Sequence, residues 1–209
     1  HYHAVRVLGA SAFKGAEILA SDATRGLIAE RGKQDMDSEI GRFPRRVRAV
    51  ETIPGLTWPS VTFPDQMSVW LGRREVRIMH IGRGHTAGDV VAAVPDCGVV
   101  FSGDLVEYHS ACYCGDAHFT DWPSTLDNLA EMQPTALVPG RGAALATPEL
   151  VKEGIEMTND FLSTLYGSVK DSVAKGRSLK DAFDFARLAM DPKFKSFAIY
   201  EHCLPFNVS

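Results

Sequence analysis

From Met67 onward apolar and polar residues alternate with a period of two, the repeat of a half-buried strand. The runs MSVWLG and EVRIMHIG flank Gly72-Arg73-Arg74, and DVVAAV and GVVFSG flank Pro95-Asp96-Cys97-Gly98. Each pair predicts a hairpin, and together they predict a continuous antiparallel meander. The period then changes. Trp122, Leu126, Leu129 and Met132 recur at helical spacing up to Gln133, and Ala136–Val138 predicts a short buried strand running into Pro139-Gly140. After Thr147 the pattern stays helical, with breaks expected at Gly176, where Ser178 can cap the next helix, and at Asp191-Pro192.

Upstream of the meander, Phe13, Ile18, Leu19, Leu27 and Ile28 among Ala, Glu and Lys predict one or two helices between Ala10 and Gly32. The proline-rich stretch from Pro44 to Pro64 contains ETIPGLTWPSVTFPD. Each proline there removes an internal helical hydrogen bond, so short edge strands and turns are expected. Internal repeats and low-complexity tracts are absent.

Composition narrows the function classes. The 209 residues, 45% apolar and without a biased tract, can bury a proper core. A net charge of −4 removes the broad positive field that nucleic acid or an anionic membrane would need, so neither is an expected partner. The densest basic stretch, Arg42 to Arg48, reads as a solvated loop or helix end. Cys97, Cys112, Cys114 and Cys203 form no CxxC pair and read as free thiols of a reducing compartment, which points to the cytoplasm. That argues against use of the glycosylation triplet at Asn207. No run of about 18 apolar residues occurs, so no membrane-spanning helix is expected.

Four short motifs carry candidate chemistry. In HYH at the start of the chain, side chains at i and i+2 of an extended segment share one face, so His1 and His3 can grip one ion. In GRGHTAGD, His85 follows the strand ending at Ile81 and is bracketed by glycines. In FSGDLVE, Asp104 falls just after the Val99–Ser102 strand. In LVPGRG, a strand runs into a glycine-rich loop bearing Arg141. Strand ends thus present His, His, Asp and Arg at their tips.

This combination resembles the metallo-β-lactamase fold superfamily, whose motifs run HxHxDH, HTxGD, a GD-type aspartate and PGHG in this order. The resemblance implies an αββα sandwich of the mixed α/β (α+β) class with a metal site at its edge. It assigns residues 1–146 to that domain and 147–209 to a helical extension packing on or near the site. Strands that usually precede HxHxDH are missing before His1, so the first sheet is expected to be incomplete and its open edge to favour a homo-oligomer.

The departures are informative. Where the superfamily has HxHxDH, this chain has Val5 for the aspartate and Arg6 for the third histidine, and Arg141 replaces the PGHG histidine. The resemblance therefore implies a first metal site of His1, His3 and His85, with Asp104 as a further ligand or as the group that orients water. The second site loses its ligands to groups without acceptor capacity. One zinc ion per chain is expected, activating water against an ester, thioester or lactam carbonyl of a small-molecule substrate. Arg6 and Arg141 then suit a substrate carboxylate, phosphate or developing oxyanion. His118, in the loop EYHSACYCGDAHFTDW, and His202, near the end of the chain, are weaker ligand candidates. In that loop His109, Cys112, Cys114 and Asp116 read first as structural or solvated. The late helices offer Phe161, Leu165, Phe183, Phe185 and Met190 as core or pocket wall, as in glyoxalase II-like thioester hydrolases. Two alternatives remain: a mononuclear iron dioxygenase resembling persulfide dioxygenases, with two histidines and Asp104 on iron, and a non-catalytic ligand-binding relative.

Overall fold

Asp22 begins a helix because Ser21 caps it, the Ser21 hydroxyl accepting the Thr24 N–H at 3.1 Å. A computed structural model describes this and the rest of residues 1–42 and 49–209; of the basic stretch only Arg42 lies within them. The chain enters through one helical turn, α1 (Ala4–Val7), and a 3-10 turn at Leu8–Ala12. Strand β1 (Leu19–Ser21) follows, then α2 (Asp22–Leu27), which passes through a π-helical turn at Ile28–Gly32 into α3 (Lys33–Arg42). Strand β2 (Val61–Phe63) pairs parallel with β1. The helix expected from Ala10 to Gly32 is thus corrected. Leu19, Ala20 and Ser21 take backbone partners in the proline-rich segment, and the helix starts only after the Ser21 cap.

The predicted meander is present. Strands β3 (Gln66–Leu71), β4 (Arg74–Met79), β5 (Val91–Val94) and β6 (Val99–Glu107) pair antiparallel in that order, and β7 (Ala136–Arg141) adds parallel to β6. Helix α4 (Trp122–Glu131) makes the crossover that a parallel pair requires. Val91, Ala93, Val100 and Leu137 point into the core. On the other face Met67, Ile78, Ala92, Phe101 and Val138 lie in register across all five strands and stay half-buried or exposed.

Thr147 caps α5 (Pro148–Ala174) and Ser178 caps α6 (Leu179–Phe194); α7 (Tyr200–Val208) ends the chain. Helices α4 and α5 pack on β6, and α6 and α7 pack on α5. Trp122, Leu126 and Leu129 of α4, Leu105 and Val106 of β6, and Phe161, Leu165 and Met190 of the later helices belong to one buried cluster. No break occurs at Asp191-Pro192, because α6 carries Pro192 in its last turn. Burial outweighs the missing N–H: Phe194 packs edge-on against Phe161 with ring centroids 5.1 Å apart, and Tyr200 Oη donates to Asp191 at 2.8 Å. Among the described residues no helix is long and apolar enough to cross a membrane.

Two contacts bind the N-terminal layer to the chemistry-bearing loop between β4 and β5. Ser21 and Thr24 both donate to the Gly88 carbonyl, at 2.7 and 2.6 Å. Beneath that loop Trp122 is fully buried and donates its indole N–H to Leu105 O at 3.1 Å. Trp122→Ala is expected to cost about 3–5 kcal/mol, read as a lower midpoint of guanidinium unfolding at unchanged slope.

Candidate metal centre

His3 is the N-cap residue of α1 and has extended backbone, so the HYH segment does present alternate side chains to one side. The segment is held by its neighbours: Ala4 N–H donates to Asp35 at 2.5 Å, and Tyr2 Oη donates to Asp116 Oδ2 at 2.5 Å. His85 sits in a loop built by Asp89, whose carboxylate accepts the Thr86 N–H at 2.8 Å and the Thr86 hydroxyl at 2.7 Å. Gly84 is needed there, since a Cβ would lie 2.4 Å from Leu105 and 3.1 Å from Trp122.

The rings of His1, His3 and His85 meet with centroids 4.7–4.9 Å apart. One nitrogen from each lies within 4.8 Å of the others, the potential metal-holding set among the described residues. His3 Nδ1 faces His85 Nε2 at 3.1 Å, close to the edge of about 3.3 Å of a tetrahedron with metal–nitrogen bonds of about 2.0–2.1 Å. His1 Nε2 and His85 Nδ1 are buried with no hydrogen-bond partner among the described residues. Burial pushes the His85 imidazole down to about 3, beyond what Asp104 restores, so it is neutral and ligand-competent at neutral pH. These residues fit a divalent cation.

Behind His3 stands Asp116, a group that its sequence context alone marks as structural. Asp116 accepts from His3 Nε2 at 2.9 Å and from Arg31 Nη1 at 2.7 Å, in addition to Tyr2. The His3 bond first, with help from Tyr2 and Arg31, holds the Asp116 carboxyl down at about 2. An ionised carboxylate on Nε2 leaves Nδ1 as the lone-pair nitrogen facing the cluster. The neighbours of Asp116 in sequence, CGDAH, carry no signal of its contact with His3, which joins residues 113 positions apart.

Asp104 lies within β6, which continues to Glu107 through register shifts around Gly103 rather than stopping at Ser102. Gly140 of β7 packs directly on it; a Cβ there would meet Asp104 Oδ1 at 2.4 Å and its backbone at 2.8 Å. Arg6 Nη2 donates to Asp104 Oδ1, and Arg141 Nη1 donates to Oδ2 at 3.1 Å and also to Glu107 Oε1. Oδ2 is 3.3 Å from His1 Nε2 and 3.7 Å from His85 Nε2, yet Asp104 falls outside the mutually close donor set. Burial alone would raise its pKa, but His85, Arg141 and Arg6 together bring it below the ordinary value. Both arginines are therefore engaged with acids, while their side chains stay 42% and 29% exposed.

Glu107 carries no role that the sequence alone suggests. It is buried, its Oε2 has no partner among the described residues, and burial pushes its carboxyl to about 8 against the pull of Arg141. A cavity of about 140 Å³ opens over His3, His85, Asp104 and Arg141, with α3 on one wall and α7 on the other. His202 lines this cavity from α7, outside the donor set. His118 is elsewhere engaged: its backbone accepts from Asp121 and Trp122 at the start of α4, and it too lies outside the set.

Known proteins resemble parts of the chain. No protein-family model matches the chain. It is 30% identical over 115 residues to the type 2 metallo-beta-lactamase of Bacteroides fragilis, covering 53% of this chain and 46% of that protein. The type 2 metallo-beta-lactamase of Pseudomonas aeruginosa is 28% identical over 61 residues, 29% of this chain and 25% of that one. The solved metallo-beta-lactamase from Pontibacter korlensis superposes with a TM-score of 0.58 at 24% identity, covering 78% of this chain and 66% of that chain. The chain has the metallo-β-lactamase fold. Metallo-beta-lactamase IND-7 superposes on it with a TM-score of 0.55 at 22% identity, over 75% of this chain and 62% of that one. This metallo-β-lactamase-fold chain spans about half the length, or less, of the curated relatives it matches.

Two measurements check the surroundings of the centre. Asp116→Ala should lower zinc affinity by about 10–100-fold in a chelator competition, because His3 loses the partner that sets its tautomer. In the metal-free protein, the folded state retains the Glu107 proton between the ordinary value of 4.5 and about 8, where the unfolded chain releases it. Stability should therefore fall as pH rises through that window, and Glu107→Gln should flatten the fall in melting temperature.

Proposed function

We propose that this chain is the metal-binding part of a hydrolase that uses one zinc ion, on His1, His3 and His85, to attack an ester, thioester or lactam carbonyl. The observation carrying the reading is the three-imidazole set, with donors within 4.8 Å of one another and His85 neutral through burial. Zinc held by three imidazoles supplies an activated water near neutral pH and polarises a carbonyl. Asp116 keeps His3 in the tautomer and orientation that this requires. Asp104, ionised and beside the cluster, can accept a proton or a hydrogen bond from a reacting water.

Val5, which has no donor atom, and the guanidiniums of Arg6 and Arg141 favour one ion over two. Arg141 keeps N–H groups at the cavity wall, and the positive charge there suits a small anionic substrate. An iron site of two histidines and Asp104 is supported less well, because Asp104 lies outside the close donor set.

Elemental analysis of the purified protein, with turnover of a panel of ester, thioester and lactam substrates, tests the proposal. About one zinc per chain is expected, with metal and hydrolysis both lost in His85→Ala. Iron with oxygen uptake would move the chain to oxidative chemistry. No metal after reconstitution would leave a ligand-binding relative.

A further inference from the structure

Both oxygens of Asp104 are taken by guanidiniums, and each guanidinium has a second anchor. Arg6 Nη2 also donates to Gly140 O at 3.3 Å, and Arg141 Nη1 is shared with Glu107. The Asp104 backbone is pinned as well, since Gly140 packs on its Cα and N at distances no Cβ would allow. Yet Oδ2 is only 3.3 Å from His1 Nε2 and 3.7 Å from His85 Nε2, so a small side-chain rotation would bring it among the imidazole donors. Carboxylate oxygens bind zinc at about 2.0–2.2 Å, and an unrestrained one this near would be drawn in.

We infer that Arg6 and Arg141 are positioning residues that hold Asp104 back from the metal position, so that the centre keeps three protein donors and one side open to a small ligand. This rests on the metal-centre reading above. The three replacements in the superfamily motifs, Val5, Arg6 and Arg141, thereby act jointly. Val5 leaves its ligand position empty of donors, and the guanidiniums keep Asp104 from closing the site. The arginines act through Asp104, on where it sits.

The test uses the full chain loaded with cobalt(II), followed by its visible spectrum, with acetate as the added ligand. Wild type should show a spectrum that shifts on acetate addition, and Asp104→Asn should bind cobalt as tightly with the same spectrum. In Arg6→Met/Arg141→Met, Asp104 should join the donors: cobalt affinity rises about tenfold, the spectrum intensifies, and the acetate response is lost. Adding Asp104→Asn to that pair should restore the response, and Arg6→Lys/Arg141→Lys, which keeps both charges, should resemble wild type. The inference is overturned if Asp104→Asn alone weakens cobalt binding about tenfold and alters the spectrum, or if the double Met variant, folded by circular dichroism, keeps the wild-type spectrum and acetate response. If no variant, nor wild type, binds cobalt, the metal-centre reading itself falls and takes this inference with it.

Discussion

A carboxylate sealed from water must find its counter-charges inside the protein, and the Asp104 side chain is 1% exposed. Arg6 and Arg141 meet that demand, and in doing so they tie three parts of the chain together. Arg6 fastens the first helical turn, with its two histidines, to β6. Arg141 fastens β7 to β6 and carries the connection on to Glu107. Removing one member of such a network leaves a buried charge alone, a loss of roughly 3–5 kcal/mol where it has been measured. The N-terminal segment takes no part in the sheets at its first residues. It is nonetheless fixed by Arg6 on Asp104, Tyr2 on Asp116 and Ala4 on Asp35. Polar anchors replace strand pairing as the means of placing His1 and His3.

Much of the fold is legible in local pattern. The two hairpins, helix α4, the strand at Ala136 and the caps at Thr147 and Ser178 all have short-range causes: alternation, helical spacing and a hydroxyl before an apolar run. The departures share one physical origin. Strand β1 has three residues and exists because of β2, some forty positions later, so no window around Leu19 contains its reason. Pro192 stays helical because Phe194 and Asp191 have partners on α5 and α7. Strand β6 reaches Glu107 by shifting register at Gly103, which an alternation test reads as an end. Tertiary contacts outweigh local preference in each case.

The site divides in the same way. His1, His3, His85 and Asp104 announce themselves by residue type and by glycine or strand-end context, and the fold brings these four together. Asp116 and Glu107 are ordinary acids in sequence. Only folding reveals that one accepts from His3 and that the other is buried against Arg141. The motifs place Arg6 and Arg141 together at the second-site position, but that both close on the Asp104 carboxylate, from residues 135 positions apart, is seen only in the fold.

Replacing metal ligands by guanidiniums does not simply delete a cation. Two guanidiniums carry about the same formal charge as one divalent ion, so on the proposed reading part of the field that would favour an anion is kept, offset by the ionised Asp104 that they hold. What disappears is coordination: a guanidinium accepts no lone pair and cannot ionise a water, but it offers planar, directional N–H donors. The two halves of a two-metal clamp would thereby separate. Activation would stay with the imidazoles, while recognition and the placement of Asp104 would pass to hydrogen bonds. Hydrogen bonds from fixed guanidiniums demand a matching planar acceptor, whereas an ion accepts donors from many directions. A site rebuilt this way would select more strongly among anions for shape than the arrangement it replaced.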